Sequence, residues 1–508
     1  MPSVGTRLSH SGYLGTVRFV GEIEGTAGTW LGVEWDDPQR GKHDGVKDGK
    51  RYFSCSVPGA GSFIRQSPAI TYGQSFLTSL ISKYIELPRG STAVEKVILG
   101  SSNGAIEVEA VGLDRIRGNL AQLERLREIS LDGENVATAD PPGTITNTCP
   151  GTRGLDLSKN LIRSWDVVAM ITDQLPQLHR LALNQNRLQP PTGAFRGASA
   201  FRHLRELQLN ATLTEWHAMQ RIIVDMPVLR SVEMGYNRLE HLFSDNSCLG
   251  SVKNSTLEDL NFDTNRISNW LTVCDALRTY PALRRLVLTA NSLERIEPPS
   301  DGWVSSLQHL QHLSLSFNRL SSWRDINAIP CWCPELESLS LTGNPLVEDP
   351  EQIRNARQFA IASIPSLTTL DAAAISLHER ADSELFYLSY VNRHGPTNED
   401  ARQREHPQWA ALCEKISVCL CAQIPTATGD IADASPSTRL RVLPTMSVRA
   451  FRMKLIKSCK IPRAQQASLR MWLKMPNDNL VEIDGDDGHE LDWWGLEGDS
   501  HLFVYTEA

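Results

Sequence analysis

Leucine returns at a fixed interval through the middle of the chain. Between residues 120 and 350 the frame L-x-x-L-x-L-x-x-N-x-L is met at Leu155, Leu157 and Asn160, and again at Leu178, Leu181, Leu183 and Asn186. It recurs through Leu229, Val232, Met234 and Asn237, then Leu257, Leu260, Phe262 and Asn265, then Leu283, Leu286, Leu288 and Asn291. Leu310, Leu313, Leu315, Asn318 and Leu336, Leu339, Leu341, Asn344 complete it, while two degenerate copies put Glu134 and Thr212 at the Asn position. These nine positions are 26, 26, 26, 25, 28, 26, 27 and 26 residues apart. An apolar-polar-apolar triplet has the period of a strand, so each L-x-L predicts a short strand with both leucines turned inward. An asparagine amide at the following bend can both donate to and accept from backbone groups. One such repeat cannot bury its apolar face alone, so the spacing predicts a solenoid of about nine stacked repeats.

The phase of the other residues follows. Trp165, Trp216, Trp270 and Trp323 fall four or five residues past the Asn position, with Leu242 and Ile296 at matching places, which assigns them to the core of the convex side. The strand positions between the leucines carry Glu128, Asp132, Asp156, Arg180, Glu206, Glu233, Asp259, Asp263 and Arg285. They predict a polar, mildly acidic concave face suited to a protein surface, with Arg180, Glu206, Glu233, Asp259, Asp263 and Arg285 as its candidate contacts. Residues 353–390 would close the array, with an amphipathic helix over 376–393.

The pattern changes at both ends. Before residue 76, short β-type runs such as Thr16-Val17-Arg18-Phe19-Val20 and Leu31-Gly32-Val33-Glu34-Trp35 are punctuated by Gly12, Gly15, Gly21, Gly25, Gly28, Gly32, Gly41, Gly45 and Gly49. That density suits tight turns and close backbone approach. After a polar stretch at 392–412, expected to be a linker, residues 416–421 and 440–443 predict two strands. An amphipathic helix follows at 448–460, with Val448, Phe451, Leu455 and Ile456 on one side, then strands at 469–473, 479–482 and 501–505. Residues 439–474 hold 10 Lys/Arg and no Asp/Glu, and residues 478–507 hold 10 Asp/Glu and no Lys/Arg. Internal complementarity is the plain expectation.

At 508 residues the chain exceeds one core and suggests about three domains. It is 41% hydrophobic and 22% charged, without an apolar run near the roughly 20 residues a membrane span needs. A net charge of −8 argues against general nucleic-acid binding. The start of the chain lacks an apolar signal region. The ten cysteines are scattered without metal-site spacing, which predicts reduced, mostly buried thiols and no metal. Gly41-Lys42 lacks the preceding glycine and following Ser/Thr of a phosphate loop, and no catalytic constellation is present, so no cofactor and no enzymatic activity are expected.

Gly41-Lys42-His43-Asp44-Gly45 has Gly15-Thr16-Val17-Arg18-Phe19-Val20 and Thr29-Trp30-Leu31-Gly32-Val33-Glu34-Trp35-Asp36 upstream. Arg51-Tyr52-Phe53 and Gly61-Ser62-Phe63-Ile64-Arg65 lie downstream. Together these resemble a CAP-Gly domain across residues 5–72, with His43 where the family typically has Asn. The resemblance implies recognition of chain ends of the Glu-Glu-Tyr/Phe type, notably that of α-tubulin. Such a tail needs cations, donors and an apolar slot. Lys42 and Arg65 are the candidate charges, His43 and Ser62 the donors, and Trp30, Phe53 and Phe63 the slot walls. Trp35 and Phe19 are expected in the core. Residues 1–72 hold 8 Lys/Arg against 7 Asp/Glu, so any basic patch must be local.

The middle is similar to leucine-rich repeat proteins, residues 359–371 to their capping segment, and the last 90 or so residues to a ubiquitin-like β-grasp domain. The chain ends without the Gly-Gly needed for conjugation, which implies a docking fold. The expected division is 1–75 CAP-Gly, 76–119 connecting segment, 120–392 capped solenoid, 393–414 linker and 415–508 ubiquitin-like. This order resembles the tubulin-binding cofactor E family, as do the residues at 111–114 and 126–133. The resemblance implies a cytoplasmic, cytoskeleton-associated, non-enzymatic chaperone that captures α-tubulin. With cofactors D and C and a small GTPase such a protein assembles the α/β heterodimer, and alone or with cofactor B it takes heterodimers apart. The ubiquitin-like domain would meet another cofactor or the proteasome and ubiquitin machinery. The alternative is a ubiquitin-pathway or microtubule-associated adaptor without chaperone activity.

Overall fold

The computed structural model describes residues 2–85, 96–99, 106–109, 123–191, 197–242, 256–299, 307–349, 353–416, 418–423, 438–443, 445–475, 479–483, 489–495 and 501–505. The 111–114 motif and the 426–437 loop lie outside them. The chain divides into two compact units, one of residues 1–321 with 331–345, the other of residues 322–330 with 346–508.

In the first unit the repeats stack as the leucine frame requires. Nine strands run parallel and in register: Glu128–Ser130, Gly154–Asp156, Arg180–Ala182, Glu206–Gln208, Ser231–Glu233, Asp259–Asn261, Arg285–Val287, His312–Ser314 and Ser338–Ser340. Their central residues, among them Leu155, Leu181, Leu260 and Leu313, are at most 3% exposed. Trp165, Trp216 and Trp270 each open a convex helix (Trp165–Thr172, Trp216–Ile223, Trp270–Ala276) and are 2% exposed or less, as the phase of the repeat predicts.

The buried asparagines form a ladder. The Nδ2 of Asn265 donates to the carbonyls of Met234, Phe262 and Asp263, while its Oδ1 accepts from the N–H groups of Asn237 and Leu239. Asn186, Asn237, Asn291, Asn318 and Asn344 each reach back to a carbonyl of the preceding repeat in the same way. At the degenerate position the Thr212 hydroxyl lies within reach of the Leu209 carbonyl and the Oδ1 of Asn237 but of no carbonyl of the preceding repeat, and its own N–H is taken by the Oδ1 of Asn237. One residue ahead of each rung the backbone is left-handed, at Gly133 and Gly343 and at seven strained non-glycine residues, Lys159, Gln185, Ala211, Tyr236, Thr264, Ala290 and Phe317. Each of these strained residues donates its N–H to a carbonyl of the next repeat, from Lys159 to Asn184 through Phe317 to Thr342.

The N-terminal module is a five-stranded antiparallel sheet. β1 (Arg7–His10), β2 (Tyr13–Glu22) and β3 (Thr29–Trp35) precede a small hairpin of β4 (Val46–Lys47) and β5 (Lys50–Arg51), and β6 (Gly61–Arg65) and β7 (Ile70–Thr71) follow. The sheet order is β6-β3-β2-β1-β7, over a core of Leu8, Val17, Leu31, Val33 and Trp35. The start of the expected connecting segment is ordered. β8 (Gln74–Ser75) pairs with Val136–Thr138 of the solenoid, and α1 (Phe76–Tyr84) buries Phe76 and Leu80 beside it. Lys96–Leu99 and Ile106–Glu109 pair as an antiparallel hairpin.

The second unit corrects the linker expected at 393–414. Helices Leu377–His394, Glu399–Glu405 and Gln408–Ile416 fill this region, and Leu412 packs with Phe359, Tyr387, Leu388 and Val391 while Trp409 and Cys413 are partly buried against them. Trp409, Leu412 and Cys413 form an apolar stripe at helical spacing inside a segment whose average composition is polar. Helix Leu377–His394 is the one expected at 376–393. The C-terminal sheet has the order Thr438–Val442, Val418–Gln423, His501–Tyr505, Arg470–Lys474, Leu480–Glu482, with helix Val448–Ser458 burying Val448, Phe451 and Leu455. A parallel pairing of first and last strands at the centre is the β-grasp arrangement of a ubiquitin-like fold. Across the divided charge, Arg470 and Glu482 approach to 4.0 Å, the one ion pair joining the two halves among the described residues.

Truncating a rung leaves several buried backbone groups without partners, each costing about 1–3 kcal/mol. Asn265→Ala is expected to lower the unfolding free energy by about 2–4 kcal/mol in urea. Asn269→Ala, which removes only an exposed helix cap to Thr272, should cost about 1 kcal/mol. Equal losses would contradict the ladder's role.

Candidate tail-binding groove and concave face

The groove grows out of strand alternation and missing side chains. On β6 successive residues point to opposite sides. Ile64 packs on the core side with Leu31 and Val33, so Gly61, Phe63 and Arg65 share the outer face. Gly32 lies opposite Phe63 in β3, and a Cβ there would stand 2.5 Å from the Phe53 ring. A Cβ on Gly61 would meet the His43 carbonyl at 2.6 Å. Into the room these glycines leave fall the rings. Phe63 lies 5.3 Å from Phe53, 5.6 Å from Tyr52, 6.3 Å from Phe19 and 4.9 Å from His43, centroid to centroid.

His43 is anchored from below. Its backbone bridges to Gly61 in both directions, and its Nδ1 accepts from the N–H of Gly45 at 3.0 Å. Gly45 sits at φ +95° against the Phe53 carbonyl, where a side chain has no room. That bond requires an unprotonated Nδ1 and leaves the proton on Nε2. Burial holds the His43 imidazole below its usual proton affinity, and Lys42 adds to this against the opposing Asp44. An asparagine Oδ1 stands as many bonds from its Cβ as Nδ1 does. The departure from Asn therefore keeps the turn's acceptor and adds a ring against Phe63.

The cations sort by whether they are already neutralised. Arg7 pairs with Asp36, Arg18 with Glu34, Lys50 with Glu24 and Arg51 with Asp44. Among the described residues no carboxylate pairs with Lys42, Lys47 or Arg65. Lys42 stands beside His43 at the Gly61 end of β6. Arg65 lies over the Trp30 ring at 4.6 Å, with Lys47 at 6.0 Å from the same ring. Gly61 and Arg65 are about 13 Å apart at the usual rise of a strand. The patch is thus a row of rings with unpaired positive charge at both ends.

Lys42, His43, Phe53, Phe63, Trp30 and Arg65 are brought together. Ser62 is not: alternation sends it with Ile64 to the inner side, where it is 5% exposed and its Oγ has no partner. Phe19, expected in the core with Trp35, is half-buried and joins the rings, whereas Trp35 is 1% exposed. Tyr52 and Lys47 were missed. Tyr52 was visible in the Arg51-Tyr52-Phe53 motif, but nothing local marks Lys47.

On the concave face, Glu128 and Arg180 pair at 2.5 Å across Gly154, which has no side chain to obstruct them. Asp259 and Arg285 approach to 3.6 Å. Glu233 accepts from Gln208 and Asn210. Burial pushes the carboxyl of Asp263 up, and Glu233 adds to it. Burial does the same to Asp132, helped by Asp156, and to Asp259, which Arg285 opposes. Glu206 is exposed. The face keeps an acidic excess after its internal pairs are formed.

A glycine-rich β module with a ring-lined cationic groove, a leucine-rich repeat solenoid and a β-grasp domain define a multidomain protein-binding protein. The CAP-Gly domain model matches residues 4–69, and the leucine rich repeat model matches residues 281–346. The chain is 34% identical over 428 residues to tubulin-specific chaperone E of Bos taurus, covering 81% of this chain and 79% of that one. It is 30% identical over 495 residues to the Xenopus laevis protein of the same name, covering 93% and 90%. It is 29% identical over 390 residues to tubulin-folding cofactor E of Arabidopsis thaliana, covering 76% and 72%. The chain belongs to the tubulin-specific chaperone E family.

The tautomer assignment gives a signed pH dependence. The folded state disfavours imidazolium, so its contribution is complete above the usual histidine value of 6.5 and is lost as pH falls below it. Thermal unfolding of the full chain should weaken over that window. His43→Asn should flatten this pH dependence and keep the stability at pH 7.5, whereas His43→Ala should lower stability there by about 1–2 kcal/mol.

Proposed function

We propose that the protein is a tubulin-folding cofactor that binds α-tubulin at two places. The groove takes the acidic, aromatic-ended tail. Lys42, Lys47 and Arg65 meet its carboxylates, the His43 Nε2–H donates to it, and Phe63, Phe53, Tyr52 and Phe19 form a wall for its terminal ring. The observation that carries this reading is the row of rings with cations unpaired at both ends, in a module where Arg7, Arg18, Lys50 and Arg51 already have carboxylate partners. The concave face, through Arg180, Glu206, Glu233, Asp259, Asp263 and Arg285, cradles the globular body.

Holding one subunit this way serves either assembly or dissociation of the α/β heterodimer, in concert with cofactors B, C and D and a small GTPase. The ubiquitin-like domain is a docking module for one of those cofactors or for the degradation machinery. The names of the relatives support the tubulin role. No described helix is long and apolar enough to cross a membrane.

Replacing both Lys42 and His43 by alanine should weaken binding of a Glu-Glu-Tyr peptide by about 2 kcal/mol, roughly thirtyfold. Unchanged affinity in a folded variant would remove the groove assignment. Size-exclusion chromatography with native α/β-tubulin should recover the chain with α-tubulin, alone or still paired with β. Failure to bind either form, alongside proteasome binding, would favour a ubiquitin-pathway adaptor.

A further inference from the structure

The groove module is fastened to the solenoid by two sets of contacts. In the first, Gly73 is wedged at φ +85° with Ala137 and the Asn135 carbonyl too close to admit a Cβ. The Gln74 N–H donates to the Asn135 carbonyl, and the Leu77 N–H to Asp140 Oδ2 at 2.7 Å. The Tyr84 hydroxyl accepts from the Ser130 N–H at 3.0 Å.

In the second, a Cβ on Gly5 would stand 2.4 Å from the Gln189 amide. Arg7, its side chain 1% exposed, grips Asp36 with both arms of its fork at 2.6 and 2.5 Å. The same guanidinium donates to Thr16 and to the backbone carbonyl of Asn160, a rung of the solenoid ladder. From the solenoid side Arg187 approaches, donating to the Ala211 carbonyl at 2.5 Å and lying in the field of Asp36 and Arg7. Asp36 directly follows β3, the strand that carries Trp30 and Gly32 into the groove.

One contact is a hinge; contacts spread over successive repeats, from Ser130 and Asn135 through Asn160 to Gln189, fix an orientation. The fork lies within the module: Asp36 holds the Arg7 guanidinium in one plane, so that its remaining donor meets the Asn160 carbonyl from a set direction, which an apolar contact would not require. We infer that Arg7, Asp36 and Arg187 are positioning residues that hold the groove at a set distance and angle from the concave face. The tail site and the body site then act as one rigid bipartite surface. This rests on the tail-and-body reading above and adds the geometry that reading leaves open. The partner it fits is a single folded chain whose acidic end emerges at a fixed offset from its docked surface.

The test uses the full chain, with Arg187→Met and Arg7→Lys. The first removes the solenoid-side charge at similar volume; the second keeps a charge and gives up the fork. Spin labels at Gln39→Cys and Met170→Cys, in a Cys331→Ser background, report the distance between module and solenoid. In both variants the distance distribution should broaden. Affinity for a Glu-Glu-Tyr peptide should stay within twofold, affinity for α-tubulin should fall about tenfold or more, and affinity for tail-less α-tubulin should not change. An unchanged distance distribution overturns the inference, as does a broadened one with full α-tubulin affinity. Loss of peptide binding in both variants also overturns it, since these residues would then support the groove itself. If the unaltered chain binds neither peptide nor α-tubulin, the underlying reading fails instead.

Discussion

The asparagine amide at the bend of each repeat is the interaction on which the rest of the first unit depends. A solenoid has no closed sheet and no central core, so each repeat must satisfy its backbone groups through its neighbours. One amide, donating with Nδ2 and accepting with Oδ1, serves up to five backbone groups from two turns, as Asn265 does. This is why a leucine frame alone would not suffice. The leucines supply the driving force, and the amide sets the register that turns Glu128, Arg180, Asp259 and Arg285 into one facing row. The left-handed residue ahead of each rung costs of order 1 kcal/mol, offset by the N–H it hands to the next repeat. The same ladder reaches the N-terminal module, because the Asn160 carbonyl receives Arg7.

In the groove the governing constraint is space. Gly32 and Gly61 leave the room that Phe53 and Phe63 occupy, and Gly45 lets the turn close on the Phe53 carbonyl. The half-buried rings press on His43 and lower its appetite for a proton, so the imidazole serves as a neutral donor while Lys42 beside it supplies the charge. In the proposed binding mode an acidic ligand would meet hydrogen bonding and charge from separate residues. Pairing Arg18, Lys50 and Arg51 internally leaves Lys42, Lys47 and Arg65 as the uncompensated charges beside the rings of the groove, with Arg40 set over Tyr13 and Trp35, in a module that is close to neutral as a whole.

Much of this was legible in the sequence because period carries geometry. The repeat phase placed Trp165, Trp216 and Trp270 inside and Arg180 and Arg285 outside, and the glycine turn located Lys42 and His43. What escaped was information with no local signature. Between the glycines at its two ends, Gly133 and Gly343, the left-handed column is occupied by Lys, Gln, Ala, Tyr, Thr, Ala and Phe, because the next repeat stabilises the conformation. Ser62 was misjudged because a polar residue in a binding motif looks functional until strand parity is known. The helix Gln408–Ile416 was hidden by averaging, since three apolar residues at helical spacing vanish in a polar window. The docking of the first 85 residues on the solenoid depends on Gly5, Arg7, Asp36, Gly73 and Arg187, which are scattered across more than 180 positions.

That docking changes how two modest contacts add. On a flexible tether, the first contact raises the local concentration of the second, but the second must still arrest the tether's motion. When the modules are already fixed, that ordering cost was met during folding, and binding one partner at both places loses little further freedom. Rigidity also discriminates. A tethered groove would accept an acidic tail at any offset, including tails on unrelated chains, whereas a fixed groove rewards only a tail emerging at the right point. Arg7, held by Asp36 and bonded across the junction to the Asn160 carbonyl, suits this role better than an apolar seam, because a seam tolerates sliding and a directed hydrogen bond resists it. Charge buried at a domain junction would then serve specificity for one folded partner, at some expense to stability.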